Sequence, residues 1–117
     1  MTKHALFSES ELAPGEFRRV DVDGIGIVVL RTQAGALCAL RDVCPHQGAR
    51  LSNGRLEAAV DGDDVGHYEL LADRAVMRCP WHGYEFDVFT GLCVADPTER
   101  VRAYPVGVED GVVTLER

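Results

Sequence analysis

Apolar residues in this chain fall in short runs, and helical periodicity is scarce. From Phe17 onward the texture is that of β-structure. Residues 18–22 and 25–31 are rich in β-branched side chains and are divided by Asp23-Gly24, a strong hairpin signal. Residues 36–41 follow a turn at Gly35, and further strands are predicted over 75–78, 84–89, 100–108 and 112–115. The last two are joined by Glu109-Asp110-Gly111, a second hairpin signal. In 100–108, Val101, Ala103, Val106 and Val108 predict one buried face, while Pro105, with no N–H to donate, marks an edge strand or a bulge. Residues 8–17 hold at most a turn, broken by Pro14-Gly15. Many short strands at this spacing predict an all-β fold, a small antiparallel sandwich or barrel.

Length and composition narrow the picture. With 117 residues, 46% of them apolar, the chain is expected to form one domain over 1–117 with one core. Apolar runs such as 27–30, or 25–30 if Gly26 is allowed, are far shorter than the roughly 20 residues of a bilayer span. Residues 1–12 contain no apolar stretch of signal-peptide length. A cytoplasmic location is therefore expected. There the four cysteines, Cys38, Cys44, Cys79 and Cys93, would be reduced or bound to metal.

The net charge of −7 argues against nucleic acid and anionic membranes as partners. It is also unevenly placed. Residues 57–73 carry six acids (Glu57, Asp61, Asp63, Asp64, Glu69, Asp73) and no Lys or Arg. Elsewhere 12 basic residues face 13 acids, so one segment holds nearly all the excess.

Two further segments carry candidate chemistry: Cys44-Pro45-His46-Gln47-Gly48 and Cys79-Pro80-Trp81-His82-Gly83. Each offers a thiolate and an imidazole inside a Pro/Gly loop. Such ligands suit zinc or iron–sulfur iron. Proline removes a backbone donor and fixes the path, and glycine lets the backbone pass close to a bulky centre. A zinc site with two Cys and two His is chemically open, although the common finger groups Cys with Cys and His with His. One Cys and one His from each loop suits a [2Fe–2S] cluster with thiolates on one iron and imidazoles on the other.

On these two motifs the chain resembles the Rieske iron–sulfur proteins. Gly83-Tyr84-Glu85-Phe86-Asp87 with Thr90-Gly91, and Tyr104-Pro105-Val106, resemble that family's flanking strands. The resemblance implies the all-β Rieske fold, with a cluster-binding region of about 42–94. It implies that Cys44 and Cys79 hold one iron and His46 and His82 the other. His46 and Cys79 are separated by 32 residues, a longer connection than is usual in the family, and the excess includes the acidic insertion at 57–73. The two loops are intact on either side of it.

The resemblance also sorts among Rieske proteins. Those of quinol-oxidising complexes have an extra cysteine in each loop, forming a disulfide. The matching positions are Ala49 and Trp81, so that bridge is absent. Their hydroxyl donors to the cluster fall at Tyr84 and Phe86. Loss of those donors predicts a potential in the lower part of the Rieske range of about −150 to +300 mV. Terminal oxygenases need a further mononuclear site of two His and one carboxylate, and only His4 and His67 remain. The implied role is a ferredoxin component of an aromatic-ring-hydroxylating oxygenase system, taking electrons from a flavoprotein reductase and giving them to the oxygenase, with no catalysis of its own. The alternatives are a small subunit fixed in a larger oxidoreductase, such as a nitrite reductase, and a zinc-stabilised module. Pro45, Gln47, Pro80 and Trp81 are candidates for a docking patch, with shielding of the cluster as the other reading of Trp81. The acidic insertion either steers a basic partner or is a solvated excursion. Cys38, Cys93, His4 and His67 are read as packing or surface residues, and Asp87 as a turn residue.

Overall fold

Residues 27–30 are fully buried, all four of them, because the strand that carries them has a core on each face. In the computed structural model, which describes residues 2–45, 48–58, 74–80 and 83–117, this is β3 (Ile25–Arg31). Its neighbours in a four-stranded antiparallel sheet are β2 (Phe17–Val22) and β4 (Leu37–Arg41), with β8 (Ala103–Tyr104) beyond β4. Side chains alternate across a strand. Val28 and Leu30 therefore join one core and Ile27 and Val29 the other. Cys38 and Leu40 of β4 face the first core and Ala39 the second.

On the second core lies a sheet of β1 (Lys3–Ser8), β10 (Val112–Glu116) and β9 (Val106–Glu109), in that order. Across its open face the Lys3 ammonium sits 2.6 Å from a Glu109 carboxylate oxygen. That partner raises the lysine above its ordinary value of 10.5. On the first core lies a sheet of β5 (Arg55–Ala58), β6 (Ala75–Arg78) and β7 (Glu85–Asp87). Met77 and Phe86 point inward from it, paired in register with Leu56 and with each other. This layered antiparallel arrangement is the expected fold class.

Several boundaries depart from the sequence expectation. β1 and β5 were not anticipated. Residues 8–17 contain a short 3-10 helix (Glu9–Glu11), closed by reciprocal hydrogen bonding between Ser8 and Glu11. Only Glu85–Asp87 of the predicted 84–89 is strand, since the Asp87 carboxylate accepts the Phe89 and Thr90 N–H groups and turns the chain. The predicted strand 100–108 is two strands. Pro105 marks neither a bulge nor an edge within one of them. It is the crossover, with β8 before it in the central sheet and β9 after it in the outer one. Its carbonyl accepts the Glu116 N–H at 2.9 Å. The single buried face fails for the same reason: Val101 is buried and Val108 is 40% exposed.

Candidate metal centre

Each cysteine loop leaves the edge of the first core and returns to it five residues later. The Cys44 N–H donates to the Ala49 carbonyl at 2.7 Å, and the Cys79 N–H donates to the Tyr84 carbonyl at the same distance. Four residues after each cysteine stands a glycine in the left-handed region, Gly48 and Gly83, both with φ of 69°. Only glycine takes that conformation without a steric penalty, so the two loops solve one turn problem in the same way. Pro45 and Pro80 are exposed, while Cys44 and Cys79 are 0% and 1% exposed and belong to the same core cluster.

The supports beneath the loops come from different elements. Two residues before Cys44, the Asp42 carboxylate is wholly buried. It accepts the Ser52 N–H (2.7 Å), the Ser52 hydroxyl (2.5 Å) and the Arg19 guanidinium (2.6 Å). One side chain thereby ties the approach to the first loop to β2 and to the 3-10 turn Leu51–Asn53. The second loop hangs between paired strands, with β6 ending at Arg78 and β7 starting at Glu85. The two halves meet at Gly54, where a Cβ would lie 1.7 Å from the Arg78 carbonyl oxygen. No local signal marks Asp42 or Gly54 as structural members of the site.

Of the four predicted ligands, the structure brings Cys44 and Cys79 together in one core, and His46 and His82 lie outside the described residues. Among the described residues no three His, Cys, Asp or Glu are grouped to hold a metal. The donor chemistry still fits an iron–sulfur centre. Two thiols lie at the core's edge, each in a glycine-closed loop whose proline is at the surface. Phe86, fully buried, presents no hydroxyl, and Ala49 packs on the core where a bridging cysteine would be needed. Gln47, Trp81, His67, Asp61, Asp63 and Asp64 also lie outside the described residues. Cys38 and Cys93 are buried packing residues of the same core. His4 is on β1, its Nε2 3.7 Å from Asp23, remote from both loops.

Residues 2–105 match the Rieske [2Fe-2S] domain. The chain belongs to that family. It is similar to Ferredoxin CarAc of Metapseudomonas resinovorans, at 32% identity over 89% of this chain and 83% of the relative. Among solved structures, a chain assigned as the NADH-dependent nitrite reductase small subunit of Mycobacterium tuberculosis superposes with a TM-score of 0.81. Its identity is 25%, with 99% of this chain and 95% of that one covered. A ferredoxin in complex with the oxygenase of carbazole 1,9a-dioxygenase superposes at 0.72, with 29% identity over 97% of this chain and 91% of that one. Both cysteine loops lie within the matched residues, and no helix among the described residues is long and apolar enough to cross a membrane.

Proposed function

We propose that this Rieske chain is a soluble, cytoplasmic one-electron carrier, the ferredoxin component of an oxygenase system. It passes electrons from a flavoprotein reductase to a terminal oxygenase and catalyses no reaction of its own. The observation that carries this reading is the matched pair of loops, each with a buried cysteine, in a chain aligned over most of its length with ferredoxins of such systems. Cys44 and Cys79 would hold one iron and His46 and His82 the other. When bound, a [2Fe–2S] cluster supplies a one-electron couple. The chain's own residues bury the thiols and set Pro45 and Pro80 at the surface beside them. A partner closing over those prolines makes the small, transient contact typical of electron transfer. The whole of 1–117 is one domain, with its cluster region at 42–94 and an insertion at 57–73.

Purified protein should contain iron and acid-labile sulfide in equal amounts and show a mixed-ligand EPR signal when reduced. His46→Ala and His82→Ala should each abolish that signal, and His67→Ala should leave it. Zinc without sulfide overturns the reading. Voltammetry should place the potential in the lower part of the Rieske range, because Phe86 supplies no hydroxyl. The superposition on the nitrite reductase subunit favours a second reading, a fixed subunit of a larger oxidoreductase. A monodisperse protein that stays soluble and loaded alone supports the carrier. Recovery only with a large partner supports the subunit.

A further inference from the structure

β5 and β6 pair with Arg55 directly opposite Arg78. Like charges facing each other across a strand pair destabilise it. Both side chains are exposed. Arg78 reaches Glu57 only at 4.0 Å, and among the described residues Arg55 has no ion pair. Glu85 is the register partner of Arg78 on its other side.

The two arginines share a groove of about 440 Å³ with Asn53, Gly54, Cys79, Pro80 and Gly83. One wall is therefore formed by Cys79, Pro80 and Gly83, and among the described residues the charged ones lining the groove are both cationic. Gly54 lies against the Arg78 backbone, and a Cβ on Gly83 would stand 3.6 Å from the Arg78 guanidinium Nε. The two glycines thus leave room beside the Arg78 side chain.

The acidic insertion begins on the same strand with Glu57, the residue that Arg78 reaches, and its described part ends at Ala58, which faces Ala75. The strand β6, about 13 Å of extended chain, stands between Arg74 and Cys79. At the cysteine end of this sheet the groove itself is thus lined by Arg55 and Arg78, with Glu57 and Glu85 beside Arg78 but outside the lining.

We propose that this groove docks carboxylates on the surface of the electron-transfer partner, seating an acidic patch beside Cys79. The proposal rests on the carrier reading for the identity of the partner. Guanidinium forks match carboxylates in a bidentate geometry. Charge complementarity of this kind sets register and on-rate.

The test is binding of a dye-labelled hexaglutamate peptide to the loaded protein, read by fluorescence anisotropy at low salt. Arg55→Gln with Arg78→Gln should weaken binding about tenfold and flatten its salt dependence. Arg117→Gln, just beyond β10 and 3.2 Å from Asp23, should leave it unchanged. Should the double variant load poorly, Arg55→Lys with Arg78→Lys keeps both charges and should retain most of the affinity. Wild-type binding equal to that of the double Gln variant overturns the groove. So does binding that emerges only after Asp61, Asp63 and Asp64 are neutralised, since the chain's own insertion would then be the occupant. Either result, with iron and the EPR signal intact, leaves the carrier reading standing. Absence of iron and sulfide removes that reading whatever the peptide does.

Discussion

Cys44 with Ala49 and Cys79 with Tyr84 close their loops by the same hydrogen bond, each just after the same left-handed glycine. What stands beneath the turns is different. The first loop depends on a side chain, the buried carboxylate of Asp42, which gathers donors from β2 and from Ser52. The second depends on backbone pairing, strung between β6 and β7. A shared local geometry therefore does not imply a shared tolerance. The first loop is vulnerable at one polar hub, whereas the second is vulnerable to anything that moves its strands.

The largest effect should come from the position that joins the two halves. Gly54→Ala puts a methyl group into the Arg78 carbonyl, and backbone cannot yield there as a flexible side chain would. Overpacking typically costs about 1–3 kcal/mol, and a clash with backbone belongs at the top of that range. A urea titration of the loaded variant should show a clear fall in midpoint, with iron released early. An unchanged midpoint would mean that the two loops are not mechanically joined at this point.

Next in size is Asp42→Ala, which leaves the Ser52 N–H and hydroxyl and the Arg19 guanidinium without their acceptor. Lost acceptors at buried sites cost about 2 kcal/mol. Asp87→Ala is the matched control near the second loop. It removes an exposed turn carboxylate that accepts two N–H groups, and should cost under about 1 kcal/mol. Equal costs for the two aspartates would erase the distinction between a side-chain support and a strand support.

The same division explains what was legible in the sequence. Both loops were readable because Cys-Pro-x-x-Gly is local chemistry, and the run 27–30 was readable because a strand buried on both faces has no polar alternation to hide it. β5 was not readable: Arg55, Leu56 and Glu57 offer one apolar side chain and no β-branched residue, and pairing with β6 makes the segment a strand. β1 was missed for a similar reason, since its few apolar residues gain meaning only against β10. Asp42 and Gly54 escaped because their partners lie 10 or more residues away in sequence. The facing of Arg55 and Arg78 needs a strand register that spans the acidic insertion. The acidic insertion dominated the charge reading because sequence shows how much charge there is before it shows where each strand ends.

The smallest expected effect is also the sharpest check on the likeness of the two turns. Gly48 and Gly83 have one φ value, so an added Cβ should meet the same left-handed penalty, about 1 kcal/mol, at either position. Their surroundings differ little in cost. Nothing described lies within 4 Å of a Cβ at Gly48, and at Gly83 the nearest atom, Arg78 Nε at 3.6 Å, is an ordinary contact on a mobile side chain. Gly48→Ala and Gly83→Ala should thus shift the urea midpoint equally. Combined with Asp42→Ala, the first should lose more than the sum of its parts, because loop and hub are neighbours, while the second should simply add. Unequal single shifts would show that the turns resemble each other only in their hydrogen bonds. Additivity in both combinations would show that Asp42 holds the strands around the first loop and not the loop itself.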